Sequence, residues 1–172
     1  VTLTHDHADH AHVEDLAGTP EVVKDPGPKT VKGIDFNGIA AFHDDQQGAE
    51  RGPNDIIKME VSGIKICHVG DLGHDLSPEQ VSEIGEVDLL LTPVGGMFTI
   101  DAEGADRLCQ TLKPKVLIPM HFKTDKCGFP LAPVDDFLGG KEGVESAGSS
   151  EVELSADSLP QQTRIVVLEP AL

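Results

Sequence analysis

The tightest constraint on this chain is the run His5-Asp6-His7-Ala8-Asp9-His10. Alternating histidines, then an aspartate with a histidine beside it, let one tight turn present imidazoles and a carboxylate to a common point, which suits a metal ion. A histidine-rich surface loop or a purification-tag remnant would also bind metal, without doing chemistry. What decides between these readings is whether the rest of the chain delivers further ligands to the same place.

The hydrophobic pattern predicts a fold that does so. Residues 1–4 read as the end of a short strand, and the loop 5–8 is expected to feed a helix through about Ala17, closed by Gly18 and Pro20. Strand-length pieces follow at 21–24, 30–34 and 38–42, punctuated by Pro, Gly and Asn, the last ending on His43. The polar, glycine-containing stretch 44–53 reads as a loop at the mouth of whatever the strand ends approach. Segments 56–61 and 64–69 form a predicted hairpin around Ser62-Gly63, and its second strand arrives at Gly70-Asp71.

Farther along, Ser77-Pro78-Glu79 opens a helix to about Ile84. The apolar run 87–92 reads as a strand covered on both faces, with a glycine-rich exit at 93–97. Its covering helix is the amphipathic stretch 101–112, stopped by Pro114. Residues 116–119 make a strand that delivers Met120-His121; 133–138 reads as a helical turn, 139–150 as a loop and 164–168 as a closing strand. Strands mixed with covering helices give an α/β arrangement, in which polar residues at C-terminal strand ends gather at one edge. His43, Asp71 and His121 each stand at such an end, as does the hexad.

A length of 172 residues suits one domain, taken here as 1–172. With 13 basic and 30 acidic residues the net charge is −17, which repels phosphate backbones and anionic membranes. Nucleic acid is therefore not an expected partner, and a small-molecule substrate is; a bound metal can invert the field at one spot. Cys67, Cys109 and Cys127 form no C-x-x-C pair, which leaves neither a disulfide framework nor a thiolate zinc site and fits a reducing, cytoplasmic setting. No apolar run approaches a membrane span. A homo-oligomer is compatible with this composition. The chain starts at Val1, four residues before the hexad, so a preceding segment that supplies sheet neighbours is expected.

Taken together, His5, His7 and His43 are the candidates for one metal and Asp9, His10 and His121 for a second, with Asp71 between them. This nitrogen and oxygen set suits zinc, and manganese or iron could use it as well. Two close divalent ions hold a hydroxide at neutral pH and polarise the bond it attacks, so no separate nucleophile is needed; no G-x-S-x-G motif offers one. Asp9 and Asp71 thus count as catalytic as well as ligating. His74 is expected either to face the substrate as a proton donor or to support the site, while His12 and His68 are left outside the ligand set.

The hexad, the strand ending in His43, Gly70-Asp71 and Pro119-Met120-His121, in this order, resemble the metal motifs of the metallo-β-lactamase-fold hydrolases. A closer resemblance is to the ascorbate-6-phosphate lactonase-like branch. It runs through His68-Val69-Gly70-Asp71-Leu72-Gly73-His74, Pro93-Val94-Gly95-Gly96 and Pro114-Lys115 to His121, covering about residues 1–123. The resemblance implies an αββα sandwich, here without its N-terminal strands. It further implies that Asp71 bridges two metals, of which Asp9 and His10 hold the second. The implied reaction is hydrolysis of a small ester, lactone or phosphate ester by a hydroxide held between the ions. Alternatives are a phosphodiesterase or nuclease of the same fold, and a metal-binding protein without catalysis. Arg51, in the loop 44–54, is expected near the site mouth, where it would meet a substrate carboxylate or phosphate or else be ion-paired within the loop.

Overall fold

Two turns whose central residues both lie in the left-handed region set the register of the first half of the chain in the computed structural model, which describes residues 1–171. Lys32 and Gly33 (φ 51° and 80°) join β1 (Gly27–Val31) to β2 (Ile34–Phe42). Ser62 and Gly63 (φ 51° and 76°) join β3 (Pro53–Val61) to β4 (Ile64–His68), where a hairpin was expected. Such turns match the right-handed twist of paired strands, and β1 to β4 pair antiparallel in chain order.

From β4 onward the pairing is parallel, through β5 (Leu89–Pro93) and β6 (Val116–Met120) to β8 (Arg164–Val167), with β7 (Val144–Ser146) outermost. Parallel neighbours need crossovers, and two helices provide them at the expected places. In α1 (Pro78–Ile84) the Ser77 hydroxyl accepts from the Gln80 N–H while the Gln80 side chain accepts from the Ser77 N–H, a capping box. Asp101 caps α2 (Ala102–Leu112) by accepting from Gly104 N–H, and α3 (Val134–Leu138) packs beside it.

The result is an α/β fold on one mixed sheet of order β1-β2-β3-β4-β5-β6-β8-β7. One face buries Ile39, Ile56, Cys67, Leu90 and Leu117 with Ile84 of α1, Ala105 and Leu108 of α2 and Phe137 of α3. A buried aliphatic or aromatic side chain of this kind stabilises the fold by about 1.5–3 kcal/mol. On the opposite face, Ile64, Leu89, Val116, Ile118 and Val166 pack against Ala147, Val152, Leu154 and Leu159 of the C-terminal segment.

Three expectations are corrected. The helix through Ala17 does not form: 9–17 holds only turns, closed by bonds such as His10 N–H and Ala11 N–H to the His7 carbonyl. Leu16 is exposed, so a helix there would have no apolar face to bury, and helices in proteins depend on that burial more than on propensity. The piece 21–24 contributes only an isolated bridge, Val23 to Thr2. Conversely, the expected loop 139–150 contains β7, a three-residue, fully exposed edge strand with no alternation to reveal it.

Strand direction places the site. Because β3 is antiparallel to both of its neighbours, β2 and β4 run the same way as β5 and β6. Their C-terminal ends therefore share one edge, and the strands that carry ligand candidates, β2, β4 and β6, alternate with β3 and β5.

Candidate metal centre

At that edge one carboxylate oxygen is the point of convergence. Asp71 Oδ2 lies 3.2 Å from His43 Nε2, 3.5 Å from His121 Nε2, 3.6 Å from His10 Nε2 and 3.9 Å from His5 Nε2. The His7 ring packs beside those of His5 and His43, with centroids 4.8 Å from each. Ligand atoms of His5, His7 and His43 fall within 4.8 Å of one another, and so do those of His5, His10 and Asp71. Among the described residues the buried Nε2 of His5, the atom that faces Asp71 Oδ2, has no hydrogen-bond partner, and neither have the Nδ1 atoms of His43 and His121, which face Asp71 with Nε2 instead. A buried, unpaired imidazole nitrogen such as His5 Nε2 beside a carboxylate fits a divalent cation, which would satisfy it.

Three of these residues, Asp71, His43 and His121, are each held by a backbone device. The Asp71 turn hangs on Asn54, wholly buried, whose Nδ2 donates to Val69 O (2.9 Å) and whose Oδ1 accepts from Asp71 N–H (2.8 Å). Gly70 (φ 59°) donates to His68 Nδ1, and a side chain there would collide with Asn54 Oδ1 and Thr4. His43 donates its N–H to Gly52 O, while Gly73 N–H and His74 Nε2 bond the carbonyl and N–H of Phe42 just before it. His121 has φ 51°, unusual for a non-glycine residue and held by Gly95 N–H on its carbonyl. A Cβ on Gly95 would strike that carbonyl.

The charges follow from this packing. Burial pushes the Asp71 carboxyl up, but the hydrogen bond with His43 and the fields of His121, His10 and His5 outweigh it and hold the group at about 2. Burial takes the His5 pKa down to about 4, only partly offset by Asp71, so at neutral pH His5 is uncharged and has a lone pair to offer a metal. His43 goes the other way: burial opposes its proton, yet the bond to Asp71 raises its pKa.

Of the seven residues singled out as ligands, the structure gathers His5, His7, His10, His43, Asp71 and His121. Asp9 stands at the rim, largely exposed, 3.7 Å from His10 Nε2. His74, considered as a proton donor or substrate contact, has both ring nitrogens engaged by backbone: Nε2 accepts from Phe42 N–H and Nδ1 donates to Asp75 O (2.8 Å). Arg51 is in no ion pair among the described residues; its guanidinium carbon sits 4.4 Å above the Phe98 ring. His68, left out as a ligand, supports the Asp71 turn. Reasoning from sequence missed Asn54, which sits in a Pro-Asn-Asp run that reads as loop, and Phe98, which follows a glycine-rich exit without any pattern.

The Beta-lactamase superfamily domain family matches residues 1–121. A UPF0173 metal-dependent hydrolase of Natranaerobius thermophilus is 37% identical over 91 residues, covering 53% of this chain and 39% of the relative. Another, from Pelotomaculum thermopropionicum, is 32% identical over 134 residues, covering 74% of this chain and 57% of its own. This chain thus spans roughly half the length of these curated relatives. Among solved structures, a candidate Zn-dependent hydrolase of the metallo-beta-lactamase superfamily from Thermotoga maritima superposes with TM-score 0.83 at 42% identity, over 97% of this chain and 79% of that one.

Proposed function

The chain belongs to the beta-lactamase superfamily domain family, with the metallo-β-lactamase fold, and from that premise we propose that its protein is a metal-dependent hydrolase of a small ester, lactone or phosphate ester. The observation that carries the proposal is the convergence of four imidazole nitrogens, 3.2 to 3.9 Å away, on one buried carboxylate oxygen. The names borne by the relatives, metal-dependent and Zn-dependent hydrolases, support it. In this reading His5, His7 and His43 would hold one divalent ion and Asp9, His10 and His121 a second, with Asp71 available to both. Zinc is the first choice for this donor set, with manganese or iron as substitutes. Two such ions, when bound, supply a hydroxide at neutral pH and an electrophilic anchor for the scissile group.

The remaining roles fall to the chain itself. Asn54, His68 and Gly70 orient the shared carboxylate, and His74 holds the end of β2 so that His43 stays on target. Low pKa values at Asp71 and His5 keep both in the ligating form at neutral pH. The test is metal analysis of the full-length protein, followed by turnover on a panel of 4-nitrophenyl esters, lactones and phosphodiesters. Hydrolysis abolished by a chelator and restored by zinc or manganese is the expected result. A protein loaded with two ions and inert across that panel would refute the reading.

A further inference from the structure

Near the ligand cluster stands an arginine that no carboxylate among the described residues neutralises. The chain carries 30 acidic residues against 13 basic ones, yet Arg51 makes no ion pair, and its guanidinium makes no hydrogen bond, among the described residues. Its guanidinium carbon lies over the Phe98 ring, 4.4 Å from the centroid. A contact of that kind occupies the aromatic face and no hydrogen-bond acceptor, so the N–H donors of Arg51 stay available to a carboxylate or phosphate.

The placement is built rather than accidental. The buried Asp44 carboxylate accepts from four backbone N–H groups of the loop, those of Gln46, Gly48, Glu50 and Arg51 itself, at 2.7 to 3.0 Å. These bonds outweigh the effect of burial and lower the Asp44 pKa, so the loop is fixed around a carboxylate that stays ionised. Phe98 stands edge-on to His121 (centroids 6.5 Å) and to Phe129 (5.5 Å, 89°). Lys123 donates to the carbonyls of Cys127 and Phe129 and so pins the loop that carries Phe129. Phe129 remains 55% exposed, so the aromatic pair that carries Arg51 keeps an open apolar side.

We infer that Arg51 is the recognition residue for a second anionic group of the substrate, a carboxylate or phosphate distinct from the scissile bond, and that Phe98 and Phe129 form the wall for the carbon skeleton that joins the two. This rests on the hydrolytic reading for what is cleaved, but not for what is bound. The substrates are thus small acids carrying an ester, lactone or phosphate ester on an apolar or planar body.

The test uses the metal-loaded full-length protein in two arms. In the first, kcat and KM, corrected for spontaneous release of 4-nitrophenolate, are compared for 4-nitrophenyl propionate and the 4-nitrophenyl monoester of succinate, which share a leaving group and differ in one carboxylate. The succinate ester is expected to be preferred, and Arg51→Met, which keeps the stem over Phe98 but removes the charge, is expected to reduce the preference roughly 10- to 100-fold through KM, the ordinary weight of a charge-assisted contact. Arg51→Lys is expected to keep part of the preference. In the second arm, calorimetry compares benzoate and benzylphosphonate with neutral benzyl alcohol, and the tighter of the two anions tells carboxylate from phosphate. Anion binding undiminished in Arg51→Met, or losses equal for both esters, would overturn the inference while leaving hydrolysis standing. Inertness across the whole panel of esters, lactones and phosphodiesters, with anion binding lost in Arg51→Met, would refute hydrolysis and uphold the anion site.

Discussion

Replacing Asn54 with alanine isolates the device that aims Asp71. The substitution removes two hydrogen bonds, 2.9 Å to Val69 O and 2.8 Å from Asp71 N–H, at a side chain with no exposure. The two backbone groups left behind are themselves buried, and a buried group without a partner costs about 1–3 kcal/mol. A loss of roughly 2–6 kcal/mol follows, against a total stability on the order of 5–15 kcal/mol. For a domain of this size each kcal/mol lowers Tm by about 2–4 °C, so the metal-stripped variant is expected to melt at least about 4 °C below wild type. Metal affinity is expected to fall roughly 10- to 100-fold, as it does when groups that orient ligands are lost. The assays are thermal melting of the chelator-treated proteins and zinc titration of the refolded ones. A Tm within a degree of wild type together with unchanged zinc affinity would refute the role given to Asn54.

Three further outcomes are expected. Gly95→Ala drives a methyl group into the His121 carbonyl and so displaces β6's ligand, with zinc binding weakened in calorimetry, whereas Gly128→Ala, with open space around it, leaves affinity unchanged. Asp71→Asn in metal-free protein lowers the His43 pKa relative to wild type, read by NMR titration, because the partner that raises it is gone. Metal-free stability falls as pH drops from 6.5 toward 4. The unfolded chain takes up a proton on His5 near 6.5 that the folded chain refuses until about 4, and His68, also lowered by burial, acts in the same sense. His43, with its raised pKa, works the other way and favours the fold on the acid side. Asp71 adds a further loss between 3.8 and about 2. A urea midpoint that rises from pH 7 to pH 5 would contradict the balance.

The site was legible in sequence to the extent that it rests on strand ends. Apolar runs such as 87–92 and the Ser62-Gly63 turn mark β3 to β6 plainly, and direction then places His43, Asp71 and His121 on one edge. What escaped lies in loops, where no period exists to be read. Asn54 looks like a turn residue and becomes buried only because β3 begins at Pro53 and carries it under Gly70. Phe98 gains meaning only from Arg51, 47 positions earlier, stacking on it. The false helix after the hexad shows the converse: helix-like spacing counts for little where Leu16 finds nothing to cover it.

The alternation of ligand-bearing strands with β3 and β5 sets a mechanical condition on the sheet. At about 4.8 Å per strand, β2 and β6 would lie roughly 19 Å apart in a flat sheet, about the full reach of two extended imidazole side chains meeting at one carboxylate oxygen. Yet His43 and His121 both reach the same oxygen of Asp71, at 3.2 and 3.5 Å. They do so across two intervening strands, each from a position just beyond the C-terminal end of its own strand, with Asp71 beyond the central β4 between them. Coordination would therefore be a clamp on strand spacing. A substitution that shifts β3 or β5 would loosen a bound ion without touching a ligand, and by linkage the ion would stiffen two strands that contribute nothing to its shell.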